Sequence, residues 1–433
     1  MFRTISYKYV PSKDERRMLR LLCHISKNLY NSALYILRQE YFKSKTLISY
    51  YDLNKMLKTN ENFHILNTYT SICIIKNVHT VFSNFVKGYT KLPKYLKQNG
   101  YYQLYTEQIR PIYKDNKKAI KLPLSNLTRT SKTFTKVFED ELIKKFIKES
   151  GIKESFDIYF KIPSIIKNKT IRQIRIIPSF KGLHYKIDFV YIDDEAVIKN
   201  EINKDLIMAI DLGINNLATC VVSNNYSFII DGKYLKSINH FYNKQKAYLS
   251  SKKPNSKEYT LMEHKVTEKR NRRIKDAIYK AAKQIMNYVT LNKVSEVIIG
   301  YNKRFKSKGV DKTLPSYIKK KINQNIIQIP LYKLKERIKY LCKINKVKYT
   351  EINESYTSIC SFYDNEYIGY HNIYKGKRIT RSLFKTSNKR IINADVNGAL
   401  NILAKSKPER KDILSFLRNR GQTLPLRQKI KLN

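Results

Sequence analysis

One short stretch constrains what this chain can fold into more than any other. Ile207-Met208-Ala209-Ile210-Asp211-Leu212-Gly213-Ile214-Asn215-Asn216-Leu217-Ala218-Thr219-Cys220 runs apolar up to a single carboxylate and turns straight back into a second apolar run. The pattern predicts a buried strand, a tight turn at Gly213 and the two asparagines, and a hairpin partner, with Asp211 at the end of the first strand. An acid in that position costs desolvation energy unless a cation or hydrogen bonds compensate. As a strand terminator Asp211 needs no function. A matching stretch downstream changes the reading: Ile391-Ile392-Asn393-Ala394-Asp395-Val396-Asn397-Gly398-Ala399-Leu400-Asn401-Ile402-Leu403 sets a second isolated acid, Asp395, at the opening of a short helix.

Charge narrows the class of partner. The 433 residues carry 85 Lys and Arg against 35 Asp and Glu, a formal net charge of +50. Self-repulsion of that size points to a polyanion. The 34 Tyr and 18 Phe among the basic residues supply faces for stacking bases, which favours nucleic acid over an acidic membrane. An AT-rich genome would account for Lys in place of Arg but not for the shortage of acids. Five scattered cysteines, without CxxC spacing, predict no disulfide framework and a reducing compartment. No leader-like apolar segment or membrane-length window is present, so the expected location is intracellular: cytoplasm or nucleoid in a prokaryote, nucleus in a eukaryote.

Along the chain, residues 2–11 alternate as a strand ending at Pro11, and Ser12 and Asp14 offer caps for a long helix. Met18, Leu22, Ile25, Leu29, Ala33 and Ile36 form its apolar stripe. A second helical stretch spans about 53–85, and the segment 87–121 has no clear period. Between residues 156 and 191 the alternation of Tyr185, Ile187, Phe189 and Tyr191 predicts a hairpin, its polar face including Arg175. Further strands are expected at 226–230, 294–300 and 347–352, with helices at about 263–291 and 330–344. Strands interleaved with helices around one sheet fit an RNase H-like α/β fold. The run Lys269-Arg270-Asn271-Arg272-Arg273 is either a solvated helix face or a contact to phosphates.

The motifs AIDLGINNLAT, around Asp211, and NADVNGALNIL, around Asp395, resemble the first and third acidic motifs of the RuvC nuclease domain of TnpB, the Fanzor proteins and the miniature type V CRISPR effectors. The resemblance implies an RuvC nuclease domain plus an N-terminal β-barrel wedge domain interrupted by a helical recognition lobe. The wedge would take residues 1–12 and 151–203, the recognition lobe 13–150, the nuclease core 204–354 and 393–405, a target-loading segment 355–392 and a basic tail 406–433. It also implies a guide RNA, a double-stranded DNA target and Mg²⁺ as cofactor. Two-metal hydrolysis needs about three carboxylates around ions roughly 4 Å apart.

The third acid departs from the family's common pattern. Most members place Glu at the end of the strand that here reads Val297-Ile298-Ile299-Gly300, and Gly300 stands in its place. Glu296 lies about four residues, or roughly 13 Å, too early. The following strand, Tyr349-Thr350-Glu351-Ile352-Asn353-Glu354-Ser355, offers a substitute beside a glycine that does not obstruct it, and some branches resemble this arrangement. The role is carried to Glu354, with Glu351 as the alternative; their parity differs, so one of the two points at the site. The family's zinc finger is not matched either. Cys360 fits its first ligand position, while Tyr363, Thr386 and Lys389 hold the others, so no structural zinc is expected. Asn397 either positions a loop or only opens a helix. The tail, with little periodicity, is expected to order only on RNA.

The expected activity is an RNA-guided DNA endonuclease. The alternatives are a nuclease-dead relative that occupies DNA as a regulator, and an RNase H-like resolvase or transposase that works without RNA.

Overall fold

The computed structural model describes residues 2–107, 109–114, 117–125, 157–193, 203–254, 259–302, 324, 327–420 and 424–431. Parts of the expected recognition lobe, 126–150, and of the strand segment after it, 151–156, lie outside those residues. The chain divides into two compact units, Met1–Asp194 and Glu195–Asn433.

The first unit opens with β1 (Phe2–Tyr9) and α1 (Lys13–Ser44). Ser12 caps α1 through a reciprocal pair: its hydroxyl accepts from the Glu15 amide, and the Glu15 carboxylate accepts from the Ser12 amide. The stripe from Met18 to Ala33 is buried as expected. The second helical stretch is three helices, α2 (Tyr50–Leu57), α3 (Glu61–Ile65) and α4 (Thr68–Val86). Asn60 and Asn67 break it, each capping the helix that follows with its side chain. Segment 87–121 yields β2 (Leu104–Thr106), β3 (Pro111–Lys114) and β4 (Lys117–Lys121), and β5 (Tyr159–Lys161) follows. The anticipated hairpin is β6 (Thr170–Ser179) with β7 (His184–Ile192).

These strands make two sheets, β1-β7-β6-β2 and β3-β4-β5. The wedge barrel expected from the resemblance is corrected here: among the described residues no barrel closes. The four-stranded sheet ends at β1 and at the three-residue β2, and β3 to β5 pair among themselves instead of joining those edges.

The second unit is built on a six-stranded sheet. β8 (Asn203–Leu212), β9 (Asn216–Val222) and β10 (Ser227–Asp231) run antiparallel; β11 (Val294–Gly300) and β12 (Lys348–Ile352) add on the other side of β8 in parallel. Helices α5 (Lys233–Ser251), α6 (Leu261–Leu291) and α7 (Leu331–Ile344) make the crossovers. A small antiparallel sheet of β13 (Lys377–Arg378), β14 (Leu383–Lys385) and β15 (Ile391–Asn393) leads into α8 (Ala394–Ser406) and α9 (Lys411–Arg420). The edge strand β16 (Leu426–Gln428) pairs in parallel with β10. The tail is therefore not left for RNA to order: Leu414, Leu417 and Ile430 are buried in the protein core.

Strand alternation sorts the core into two layers. Met208, Ile210 and Leu212 of β8, with Val297 and Ile299 of β11, pack with α6 and α7. Ile207, Ala209 and Ile298 face the opposite way, onto Val396, Ala399, Leu400 and Ile402 of α8. By the same period Asp211 and Gly300 belong to the α8 face. No helix among the described residues is long and apolar enough to cross a membrane.

Candidate active site

The side chains that matter are placed by three local rules. Asp211 ends the β8 run, partly buried, on the face that α8 covers. Asp395 sits in the first turn of α8, where Asn393 caps the helix by accepting from the amides of Asp395 and Val396 at 3.0 and 3.1 Å. Gly398, one turn on, lets that helix come close: a Cβ there would stand 2.9 Å from Asp211 Oδ2. Glu354 lies just past the end of β12. A Cβ on Gly300 would meet the Glu354 Cβ at 3.3 Å and Ile402 Cδ1 at 2.3 Å, so the glycine's missing side chain is the room that Ile402 and Glu354 use.

Asp211, Glu354 and Asp395 are thus neighbours. Burial, followed by the negative charges of Glu354 and Asp395, pushes the Asp211 carboxyl well above the ordinary carboxylate range, while the Arg378 guanidinium pulls it down. Arg378 Nη2 pairs with Asp395 Oδ1 at 2.9 Å. Asn216 Nδ2 donates to the other Asp395 oxygen. The cleft beside these groups is lined by Asp211, Asp395, Lys233, Lys236, Arg381 and Arg427, among others. An acidic floor ringed by cations can take hard divalent ions and phosphate together. Among the described residues no three His, Cys, Asp or Glu side chains stand in a group already set to hold a metal ion.

The alternative acids are engaged elsewhere. Glu351 pairs in register with Ile299, and so faces the α7 side, where Lys335 Nζ holds it at 2.8 Å. Glu296, at the start of β11, takes Lys407 at 2.9 Å, Lys348 at 3.4 Å and the Thr350 hydroxyl. It ties down the far end of α8.

Of the basic residues singled out, Lys269, Arg272 and Arg273 are exposed on α6. Arg270 is turned inward: it donates to Asn239 Oδ1 at 2.8 Å and to the Gln328 carbonyl at 2.7 Å, and lies over the Tyr242 ring. With Nη1 also donating to Asn271 Oδ1 at 2.8 Å, three of its five N–H groups are engaged with protein, unlike those of its exposed neighbours. Arg175, half-buried in β6, donates to Gln173 Oε1 at 2.6 Å.

Two buried asparagines on α8 hold the loop that leaves Glu354. Asn397 accepts from the Phe362 amide and donates to the Cys360 carbonyl; Asn401 donates to the carbonyls of Thr357 and Cys360. The sequence signal for Asn401 is a second asparagine four residues after Asn397, set among the apolar residues of the helix. In the segment expected to lack zinc, Asp364 accepts from Ser361 and Ser387, and Glu366 accepts from the Ser361 and Lys375 amides.

Fold and site define a mixed α/β protein with a carboxylate-floored, cation-rimmed cleft. Residues 190–306 match the OrfB_IS605 family, described as a probable transposase, and residues 332–402 match the Cas12f1-like TNB domain. Among solved structures, the chain is similar to the Cas12f1 protein of a Cas12f1–sgRNA–target DNA complex (TM-score 0.62, 16% identity, covering 90% of this chain and 83% of that one). It is also similar to the mini-RNA-guided endonuclease CRISPR-Cas_phi3 (TM-score 0.51, 10% identity, 93% and 92% covered). No curated protein matches. Across those two segments the chain is similar to the TnpB-like transposases and the miniature type V effectors.

Proposed function

We propose that the chain is an RNA-guided DNA endonuclease of the TnpB type, cutting target DNA at the cleft lined by Asp211 and Asp395, with Glu354 as the third acid beside it. One observation carries the reading: Gly300 leaves room for Glu354, and Gly398 lets the helix that bears Asp395 close on Asp211, so carboxyl groups from distant parts of the chain gather at one end of one sheet face. Such crowding disfavours the fold unless a cation compensates it, and it is a mark of functional sites.

The donors are all carboxylate oxygens, the ligands that Mg²⁺ takes, and the three acids are the residues that would hold it. A bound pair of ions would supply an activated water and stabilise the leaving oxygen. The chain itself contributes position and charge. Lys233, Lys236 and Arg381 on the cleft wall draw a phosphate backbone toward the acids. Lys269, Arg272 and Arg273 contact phosphates along α6, and Arg175 contacts nucleic acid from β6. Guide RNA and target DNA are the polyanions that the +50 charge suits, with base pairing reading the target sequence. Residues 1–12 and 151–203 act as the wedge, 13–150 as the recognition lobe, 355–392 as the target-loading segment and 406–433 as a tail docked on the nuclease core of 204–354 and 393–405.

The test is cleavage of a guide-matched duplex by the purified chain with its co-purified RNA and Mg²⁺. Guided cutting is expected, with Asp211→Ala, Glu354→Gln and Asp395→Ala each lowering it by at least about 100-fold while guided binding persists. Guided binding by the wild-type chain with no cutting would show the nuclease-dead regulator instead. Equal cutting after removal of RNA would show the resolvase-like reading.

A further inference from the structure

The edge strand β16 carries Arg427 to the same cleft. Its Nη1 donates to Asn216 Oδ1 at 2.9 Å and lies 3.3 Å from Asp231 Oδ2. Asn216 in turn directs its Nδ2 to Asp395. The order of these contacts is chemically determined. Arginine has only donors, whereas an asparagine amide has one accepting end and one donating end. With Oδ1 claimed by Arg427, the amide must turn its NH₂ toward Asp395, where a carboxylate needs a donor. In the reversed orientation the amide oxygen would face the carboxylate.

The strand that presents Arg427 is held firmly. β16 pairs with β10, with Arg427 in register with Ile229; Gln284 of α6 donates to Gln428 Oε1 at 2.6 Å; and Ile430 is buried in the core. Asp231, 8% exposed, also accepts from the Lys233 amide at 2.6 Å, so Arg427 neutralises a buried acid at the start of α5 while it sets the amide.

We propose that Arg427 is a positioning residue: through Asn216 it fixes the orientation of the Asp395 carboxylate, so that the C-terminal segment completes the nuclease site. The inference rests on the proposed metal-holding role of Asp395. Groups that orient a ligand in this way typically change metal affinity by about 10- to 100-fold when removed.

Calorimetric titration of the full chain with Mn²⁺ tests it, using wild type, Arg427→Met, Asn216→Ala, the double variant, Arg427→Lys and Asp211→Ala. Arg427→Met and Asn216→Ala should each weaken Mn²⁺ binding by about tenfold, and the double variant should be no weaker than the poorer single one. Arg427→Lys, still a pure donor, should restore most of the affinity. Losses that multiply in the double variant, failure of Lys to restore binding, or Mn²⁺ affinity unchanged in Arg427→Met would overturn the inference. That last result with weaker DNA binding would make Arg427 a phosphate contact. If the wild-type chain binds no Mn²⁺, or binds it regardless of Asp211→Ala, the site reading itself fails and the inference with it. Sensitivity to Asp211→Ala without sensitivity to Arg427→Met removes the inference alone.

Discussion

A Cβ added to Gly300 would lie 3.3 Å from the Cβ of Glu354, so the end of β11 and the loop after β12 share a single volume. The same hypothetical atom would overlap Ile402 Cδ1 at 2.3 Å. Any side chain at position 300 must therefore displace the fully buried Ile402, Glu354, or both.

Gly300→Ala should destabilise the chain by about 1–3 kcal/mol, the usual cost of overpacking a filled core. Ile402→Val in the same chain should recover part of that loss by removing the Cδ1 atom. Thermal unfolding of the two single variants and the double variant measures it. Additive losses would show that the contact is not the cause.

Glu351→Gln and Glu354→Gln should separate cleanly. Glu351 is half of an ion pair with Lys335, whose side chain is only 8% exposed, so its loss should cost about 1–2 kcal/mol of stability. Guided cleavage at 25 °C should stay within roughly twofold of wild type, because the pair lies on the opposite sheet face. Glu354→Gln should do the reverse. Cleavage rates and unfolding midpoints on both variants decide the matter.

Asp364 supplies a pH dependence. Burial raises its carboxyl, but hydrogen bonds from Ser361 and Ser387, with Lys375 nearby, outweigh burial and hold it below the ordinary value of 3.8. A carboxyl whose folded pKa is depressed adds stability that is fully present above the unfolded pKa and fades as pH falls through the folded one. Asp364→Asn should therefore cost about 1 kcal/mol near neutral pH. The difference from wild type should shrink as the pH drops below about 3.8. Urea unfolding of both proteins across that range checks the sign; a difference that grows in acid would contradict it.

Much of the second unit was legible because its signals are periodic. The apolar run before Asp211 reads as a buried strand with the acid at its end; the packing of Ile207 and Ala209 against α8 then shows which face the acid shares. Pairing register shows why Glu351 stands away from Asp211: it shares the parity of Ile299, which points to α7. Other features carried no such signal. The α5 helix buries only Leu235, Ile238 and Asn239, too few to make a stripe. Arg270 sits in a charge run indistinguishable from its exposed neighbours, and only the fold reveals Asn239 and the Gln328 carbonyl as its partners. The tail looked featureless because its docking depends on a few scattered residues, Leu414, Leu417 and Ile430, and on a strand three residues long.

The central claim is that the third acid of the site has moved from strand β11 to Glu354. Anomalous diffraction from crystals soaked in Mn²⁺ addresses it most directly. The account predicts anomalous peaks in contact with the carboxylates of Asp211, Glu354 and Asp395 together. Peaks held by Asp211 and Asp395 with Glu354 turned away, or held by Glu351 or Glu296, would contradict it.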